Sequence, residues 1–200
     1  MHVLITGSTG FLGKQTVLEL KKDYKLTFIG KKKTKNKNYI FCNLNNSKKI
    51  SSILKSINPD VIINLAAEAN FKKKTKNMYK VNAQCPYTLA KFCKKNNIHL
   101  IHASGTIING IKSVYNMKTK HDPINAYGES KLKAEILIKK TKCKYSIIRF
   151  GGIFGKNGPN HLAINNFIND AIKGKNINFT GNSKSTRNYI FVKDASRFIK

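Results

Sequence analysis

The chain has 200 residues, 40% of them hydrophobic, and its 38 Lys plus Arg against 9 Asp plus Glu give a formal net charge of +29. This apolar content can form a substantial core, which excludes disorder throughout, and the length fits one to two domains. No apolar run approaches the roughly 20 residues that span a bilayer, and the N-terminus has the pattern of a first strand rather than of a leader peptide, so we expect a cytoplasmic protein with no membrane partner.

The positive charge raises the question of a polyanionic partner. Lysine runs at 31–33 and 72–74 are candidate phosphate contacts. However, the basic residues are almost all lysine, whereas base-reading and bidentate phosphate sites favour arginine, and no helix-turn-helix or zinc-finger motif is present. We therefore expect no specific nucleic-acid partner and interpret the lysines as a compositional bias spread over solvated surfaces.

The cysteines are scattered along the chain and form no Cys-x-x-Cys pair. No histidine lies near them at metal-ligand spacing. They are Cys42, Cys85, Cys93 and Cys143. The sequence therefore predicts neither a metal site nor a disulfide framework.

Short apolar segments alternate with helical patterns along the first 150 residues. The predicted strands are 2–6, 25–29, 39–42, 60–65, 99–103 and 145–150. The predicted helices run from the first glycine turn to about residue 22, then over 47–56, about 77–95 and 126–140. Alternation of this kind predicts an α/β fold with a Rossmann-type, doubly wound parallel sheet. After Gly151 the alternation weakens and a different kind of structure is expected.

Three glycines, Gly7, Gly10 and Gly13, follow the first predicted strand and open the first helix. The pyrophosphate of a dinucleotide binds backbone amides and the positive end of a helix dipole, so side chains must be absent where the turn touches it. In this context the spacing predicts a dinucleotide site. The alternative is a glycine turn with a structural role alone.

The end of the second predicted strand bears on the choice of nicotinamide cofactor. An acidic residue there binds the 2′-hydroxyl of the ribose, whereas a basic residue suits a 2′-phosphate. In this chain Gly30 is followed by Lys31 and two further lysines, with no carboxylate nearby. The sequence therefore leaves NADP and NAD open and favours NADP.

Tyr127 and Lys131 are four residues apart at the start of a predicted helix, which places them on one face. An unperturbed tyrosine, with a pKa of about 10, is too weak an acid to form a base at neutral pH, and a neighbouring ammonium favours the phenolate. The pair predicts that Tyr127 exchanges a proton with a substrate hydroxyl or carbonyl while a hydride moves, and that Lys131 tunes it and binds the nicotinamide ribose. A structural role for the pair stays open.

In their order along the chain, these motifs resemble the extended short-chain dehydrogenase/reductase superfamily of nucleotide-sugar epimerases, dehydratases and 4-keto reductases. The segments that carry the resemblance are 6–13, 59–67, 81–83, 127–131 and 187–194. The resemblance implies an NAD(P)-dependent enzyme that transfers a hydride reversibly on a nucleotide-linked sugar. Either an epimerase or a reductase similar to dTDP-4-dehydrorhamnose reductase is implied, and relatives of this kind often form homodimers.

The resemblance also implies roles for individual residues. The residues implied to bind the cofactor are Gly7, Thr9, Gly10, Phe11, Leu12, Gly13, Lys31, Asn43, Leu44, Leu65, Ala66, Ala67, Asn82, Tyr127 and Lys131. Arg187 and Asn160 are implied to contact the substrate, and Asn82 to support Lys131. Residues 1–150 would form the NAD(P)-binding domain and 151–200 the beginning of a small C-terminal substrate domain, which we expect to be truncated relative to the family.

The chain departs from the family pattern after the fifth predicted strand. Gly105 stands at the position of the catalytic serine or threonine, so either Ser104 or Thr106 substitutes for it or the proton relay is impaired. Thr106 and Ile107 replace the acidic pair of the dehydratases, which disfavours a 4,6-dehydratase. The departure leaves a non-catalytic dinucleotide-binding protein as the alternative from another class.

Overall fold

The computed structural model describes residues 1–32, 34–71, 73–111, 114–116, 118–179 and 186–200. Lys33 and Lys72, which belong to the two lysine runs, lie outside the described residues. None of the helices in these ranges has the length and apolar character needed to cross a bilayer.

The central sheet has six strands, and every neighbouring pair is parallel. The strands are β1 (His2–Thr6), β2 (Lys25–Gly30), β3 (Tyr39–Phe41), β4 (Val61–Asn64), β5 (His99–Gly105) and β6 (Lys144–Phe150). Their order is β3-β2-β1-β4-β5-β6. The order changes direction between β1 and β4, and sheets of this kind bind ligands at such a switch point. The predicted Rossmann-type doubly wound sheet is confirmed.

Helices cover both faces of the sheet. They are α1 (Phe11–Leu20), α2 (Ser47–Ile57), α3 (Cys85–Asn96), α4 (Ala126–Lys140), α5 (Ala163–Ile172) and α6 (Val192–Ile199). Asparagines stabilise several helix ends. The side chains of Asn46 and Asn125 each accept a backbone N–H group in the first turn of α2 and α4. Asn58 and Asn97 adopt the left-handed conformation that ends α2 and α3.

The core consists of two layers because alternate residues of each strand point to opposite faces. On one face Leu4 and Ile62 pack with buried residues of α2 and α3, such as Leu54 and Leu89. The opposite face is formed by a second cluster, which is Val3, Ile5, Leu20, Leu26, Phe28, Ile63, Phe150, Ala195 and Ile199. Strands β1 and β4 are thus covered on both sides, as their continuous apolar sequences predict.

Residues after Gly151 form two kinds of structure. β7 (Gly152–Phe154) and β8 (Tyr189–Phe191) make a separate two-stranded parallel sheet. In contrast, α6 packs its buried residues Ala195 and Ile199 into the core beneath β1, next to α1. The division into residues 1–150 and 151–200 stays a prediction, and α6 packs in the second core cluster together with residues of β1 and α1.

Candidate active site

The glycine turn after β1 leaves no room for side chains. Gly7 has a φ of +77°, and a Cβ added to it would lie 2.6 Å from the backbone nitrogen of Ala66. A Cβ on Gly13 would lie 2.0 Å from the carbonyl oxygen of Gly7. The N–H of Gly10 donates to that same oxygen at 2.9 Å, which closes the turn directly before α1. The requirement for glycine at positions 7 and 13 is therefore a matter of backbone packing.

This turn opens into a cavity of about 250 Å³ at the switch point of the sheet. We call it the glycine groove; its lining is Gly7, Thr9, Gly10, Gly30, Lys31, Lys32, Tyr39, Asn43, Leu44, Leu65, Ala66, Ala67, Glu68 and Val81. Most of the predicted cofactor residues therefore meet around one cavity. Of the others, Phe11, Leu12 and Gly13 form the first turn of α1, whereas Asn82, Tyr127 and Lys131 are outside the lining.

The sequence did not point to Tyr39, the first residue of β3, whose hydroxyl lies beside Gly30 at the end of β2. A Cβ on Gly30 would lie only 2.3 Å from the hydroxyl oxygen of Tyr39, so the phenol occupies the space that a side chain at position 30 would need. The N–H of Lys32 donates to this hydroxyl at 3.3 Å. The signal in the sequence is Gly30 at the end of β2. A glycine at this position leaves a space that the side chain of a neighbouring strand can fill.

Tyr127 and Lys131 lie on the first turns of α4, as predicted. The Phe71 ring covers Tyr127, with ring centroids 4.8 Å apart in an edge-to-face arrangement, and burial raises the pKa of Tyr127 to about 12. The Lys131 ammonium donates to the carbonyl oxygen of Ala103 on β5 at 2.5 Å. The expectation that Lys131 lowers the pKa of Tyr127 is not met in this structure, because burial of the phenol dominates and the ammonium bonds to β5.

Lys131 is itself almost fully buried, at 3% exposure. Burial lowers its pKa to about 8, and the negative charge of Glu135, one helical turn further along α4, acts in the opposite direction. This partner was also missed from sequence, although the four-residue spacing between Lys131 and Glu135 is the detectable signal.

Glu135 is 1% exposed and forms a bidentate ion pair with Arg149 of β6. Ser104 of β5 donates its hydroxyl to the same carboxylate at 2.6 Å. Burial alone would raise the pKa of Glu135, but the hydrogen bonds from Arg149 and Ser104 outweigh it and hold that pKa below its usual value. We call Tyr127, Lys131, Glu135, Ser104 and Arg149 together the lysine corner.

The two candidate substitutes for the missing hydroxyl at position 105 differ in their surroundings. Ser104 is buried and its hydroxyl is engaged by Glu135. Thr106 is half-buried and begins a 3₁₀ turn (Thr106–Asn109). A Cβ on Gly105 would meet nothing closer than 3.6 Å, so this position can accommodate a side chain.

Asn82 lies in a π-helical segment (Lys80–Gln84) that precedes α3, a distortion that is frequent at functional sites. Its Oδ1 accepts the N–H of Glu68 at 2.7 Å, while its Nδ2 donates to the carbonyl oxygen of Glu68 at 3.1 Å and to Ser130 Oγ at 3.0 Å. Asn82 therefore ties the loop after β4 to α4 through Ser130 rather than through the neighbouring Lys131.

The predicted substrate residues are Asn160 and Arg187. Asn160 lines a second cavity of about 410 Å³ along α5, together with Asn166, Asn169 and Asp170. Arg187 is exposed and donates to the carbonyl oxygen of its neighbour Thr186 at 3.2 Å. Arg187 is not among the described residues that line this cavity.

An aromatic contact links the Asn160 region to the corner. His161, the next residue, lies against Phe71 with ring centroids 4.7 Å apart, and Phe71 in turn covers Tyr127. This chain of rings connects His161 to Tyr127 through Phe71.

Within the described ranges, no group of three or more His, Cys, Asp or Glu side chains is arranged to hold a metal ion. The cysteines are all buried and free.

Comparison with known proteins gives several relatives. The chain is 28% identical over 229 residues to dTDP-D-glucose 4,6-dehydratase of Dictyostelium discoideum, covering 96% of the chain and 53% of that protein. It is 26% identical over 227 residues to the uncharacterized UDP-glucose epimerase YtcB of Bacillus subtilis, covering 100% and 71%. A dTDP-4-dehydrorhamnose reductase of Aggregatibacter actinomycetemcomitans is 28% identical over 166 residues, covering 80% and 54%. The chain thus spans about half the length of two of these three relatives.

Among solved structures, dTDP-glucose 4,6-dehydratase of Bacillus anthracis in complex with NAD superposes with a TM-score of 0.81 at 22% identity, over 100% of this chain and 70% of that one. This similarity establishes the fold. The family model described as the RmlD substrate binding domain matches residues 1–180. The chain therefore belongs to the RmlD substrate binding domain family, within the extended short-chain dehydrogenase/reductases that its motifs resemble.

Proposed function

We propose that the chain binds NADP or NAD in the glycine groove and transfers a hydride reversibly on a nucleotide-linked sugar, with Tyr127 as the proton donor and acceptor. The observation that carries the proposal is the packing of the turn, where a Cβ on Gly7 or Gly13 would meet backbone atoms at 2.6 and 2.0 Å. A turn of this kind brings bare backbone to the start of a helix, which suits a pyrophosphate. The names of the relatives supply the substrate class.

The groove also supports a preference for NADP. Lys31 and Lys32 are exposed at the end of β2, and the Tyr39 hydroxyl occupies the place above Gly30. A hydroxyl and two ammonium groups suit the 2′-phosphate of NADP, and no carboxylate stands at the end of β2 to select the 2′-hydroxyl of NAD. Replacing both Lys31 and Lys32 by Glu should therefore reduce the preference for NADPH over NADH by about tenfold, or ~1.4 kcal/mol.

The raised pKa of Tyr127 favours one direction of proton transfer. With a pKa of about 12, Tyr127 is a neutral phenol at physiological pH and is ready to donate its proton to the oxygen of a 4-keto sugar. The bound nicotinamide would supply or accept the hydride. A neutral phenol is the form of Tyr127 that the second candidate, a 4-keto-sugar reductase, requires. Epimerisation additionally requires Tyr127 to remove a proton, which becomes easier as positive charge accumulates near the phenol.

The residue that polarises the substrate oxygen is inferred to be Thr106. Ser104 already donates its hydroxyl proton to Glu135, so its use would require breaking a buried charge-assisted hydrogen bond. Thr106 follows Gly105 directly, is half-buried and begins the 3₁₀ turn. The 4,6-dehydratase reaction stays disfavoured, since Thr106 and Ile107 provide no carboxyl group.

The first experiment measures binding of NADPH and NADH by cofactor fluorescence, with Gly13→Ala as the variant that should lose it. Wild-type binding is then followed by turnover assays with UDP- and dTDP-linked 4-keto sugars and hexoses. Tyr127→Phe should keep cofactor affinity and lose about 10²- to 10⁴-fold in turnover. Absence of binding for both cofactors would overturn the proposal.

The assay also separates the alternatives. A reductase consumes NADPH in proportion to product, whereas an epimerase returns the hydride and leaves the cofactor spectrum unchanged over complete turnovers. A non-catalytic dinucleotide-binding protein would bind cofactor but show no turnover with any of these sugars. The homodimer stays a prediction, which light scattering of the purified chain tests.

A further inference from the structure

We propose that Asn82 and Ser130 are positioning residues that fix Tyr127 relative to the wall of the glycine groove. The proposal deepens the function proposed above and rests on it only for the use made of Tyr127. Four hydrogen bonds carry the proposal, and they run from the backbone of Glu68, which lines the groove, to the carbonyl oxygen of Tyr127. We call Glu68, Asn82, Ser130 and Tyr127 together the asparagine bridge.

At the groove, the side chain of Asn82 binds both backbone polar groups of Glu68. Asn82 Oδ1 accepts the N–H of Glu68 at 2.7 Å, and Asn82 Nδ2 donates to the carbonyl oxygen of Glu68 at 3.1 Å. The amide thus pairs with Glu68 in the way that a residue of a neighbouring strand would. Asn82 is buried, and the residue before it, Val81, lines the groove as well. These two bonds therefore hold together two parts of the groove wall that come from different segments of the chain.

The other half of the asparagine bridge has a fixed direction. The carbonyl oxygen of Glu68 can only accept a hydrogen bond, so the amide atom of Asn82 beside it must be the nitrogen. This nitrogen has a second proton, which it donates to Ser130 Oγ at 3.0 Å. The single proton of the buried Ser130 hydroxyl is then donated to the carbonyl oxygen of Tyr127 at 2.7 Å. Neither side chain can turn away without leaving a buried polar group unpaired, which costs free energy.

The loop after β4 reaches Tyr127 by a second route. Phe71 follows Glu68 on this loop, and its ring lies edge-to-face on the Tyr127 ring with centroids 4.8 Å apart. The Thr75 hydroxyl donates to the Glu68 carboxylate, which closes the loop on itself. One segment thus forms part of the groove wall at Glu68 and covers the phenol at Phe71. The asparagine bridge holds the backbone of Tyr127 to this segment, while the ring contact holds its side chain.

The segment that carries Asn82 has an uncommon backbone geometry. Its π-helical turn is closed by a bond from the N–H of Cys85 to the carbonyl oxygen of Lys80, one residue further along than in an α-helix. Turns of this kind are rare and are frequent at functional sites. A purely structural connection between this turn and α4 would need only the bond from Asn82 to Ser130. The asparagine bridge continues beyond that bond at both ends, to residues of the proposed site.

The test is an NMR measurement of the Tyr127 ring signals in the chain labelled at its tyrosine rings, without cofactor or substrate. Tyr127 is identified as the signal that disappears in Tyr127→Phe. Ser130→Ala should shift this signal, because the ring moves relative to Phe71. Asn82→Ala changes a residue on another element, so a shift of Tyr127 in the same direction would report the asparagine bridge. The double variant should shift the signal no further than Ser130→Ala does, since both changes break the same chain of bonds.

Two further variants control the measurement. Ser130→Thr keeps a hydroxyl that can bond to a carbonyl oxygen of the preceding turn, and should restore the wild-type signal. Ser196 is also a buried helical serine, and it donates to the carbonyl oxygen of Lys193, three residues before it, at 2.8 Å. Its helix, α6, packs in the other core cluster, so Ser196→Ala should leave Tyr127 unchanged.

A Tyr127 signal that keeps its wild-type position in Ser130→Ala, with only the melting temperature reduced, would overturn the proposal. An equal shift in Ser196→Ala would overturn it as well. If Asn82→Ala does not fold, the comparison of Ser130→Ala with Ser130→Thr still decides the matter.

The proposed function supplies a second readout. Ser130→Ala keeps the bonds between Asn82 and Glu68, so affinity for NADPH should stay within about twofold of the wild type. Its kcat should fall by about 10- to 100-fold, because the phenol is displaced from the substrate. Asn82→Ala should lower affinity and kcat together. A chain that binds no cofactor would count against the proposed function without affecting the NMR result, so the two failures are distinguishable.

Discussion

The glycine groove and the lysine corner lie on neighbouring parts of one sheet, but they differ in the groups that determine their shape. Backbone atoms dominate in the glycine turn of the first and buried charged side chains in the second. The turn that begins the groove is made of backbone, and its shape depends on the absence of a Cβ at Gly7 and Gly13. The corner contains buried charged groups, with Lys131 3% and Glu135 1% exposed. The shape of the turn thus depends on backbone packing, whereas the ion pair of the corner depends on the attraction between Glu135 and Arg149.

The largest expected effect concerns the ion pair of the corner. Arg149→Met leaves the Glu135 carboxylate buried beside fewer donors and should lower the free energy of unfolding by about 3 to 5 kcal/mol. Urea unfolding at pH 7 measures it. The double variant Arg149→Met/Glu135→Met should recover most of the loss, because it removes both charges. A double variant as unstable as the single one would show that the corner does not depend on charge pairing.

A second prediction tests whether the buried ammonium opposes folding. Because the pKa of Lys131 falls from 10.5 to about 8 on folding, the unfolded chain binds more protons between these values and the stability of the wild type rises with pH. Lys131→Met should be more stable than the wild type by roughly 3 kcal/mol at pH 7.

This advantage should be complete below about pH 8 and should fade as the pH approaches 10.5, where the lysine is neutral in both states. Thermal unfolding at a series of pH values measures it. An advantage that does not change with pH would mean that packing of the methionine, and not removal of the charge, is responsible. The exposed change Lys133→Met is the matched control.

A third prediction addresses the glycine turn that begins the glycine groove. Gly13→Ala places a methyl group where the carbonyl oxygen of Gly7 lies at 2.0 Å, so the turn must shift and affinity for the dinucleotide should fall by about 100-fold, or ~2.7 kcal/mol. Gly10→Ala, whose Cβ would stand 3.2 Å from the same oxygen, is the graded control and should have a smaller effect. Equal affinities for wild type and Gly13→Ala would refute the proposed cofactor site.

The smallest expected effect is a gain. Gly105→Thr places a hydroxyl at the position that the family pattern assigns to it, and the space allows the side chain because nothing lies within 3.6 Å of its Cβ. Turnover of a nucleotide sugar should rise by about tenfold, or ~1.4 kcal/mol of barrier. Gly105→Val, similar in size but without the hydroxyl, should not raise it. Equal rates for both variants would remove position 105 from the mechanism.

Much of the fold could be predicted because it follows from local patterns. Alternating apolar runs and helical periods predicted each strand of the central sheet to within one or two residues, since parallel strands covered on both faces have continuous apolar sequences. The π-helical segment before α3 was missed, because its widened turn has no signature in a helical period. The packing of α6 against the core beneath β1 was not predicted either, because it depends on contacts between residues far apart in the chain.

The residues of the candidate site also differ in how far they could be predicted from local patterns. Gly7, Gly13 and Tyr127 were recognised from spacing because a turn and a helix convert spacing directly into position. By contrast, Arg149 reaches Glu135 from a strand 14 residues later, and Tyr39 fills the space above Gly30 from an adjacent strand. Such partners meet only when the sheet assembles, so a local signal such as Gly30 at the end of β2 does not by itself identify the partner.

By itself, the amino-acid sequence determined the α/β sheet, the glycine turn and the placement of Tyr127 and Lys131 on one helix, because each depends on neighbours within a few residues. The tertiary structure alone decided the ionic surroundings of Lys131 and the burial that raises the pKa of Tyr127. Burial and charge pairing are properties of the assembled interior, where water is excluded and groups from β5, β6 and α4 come within hydrogen-bond distance.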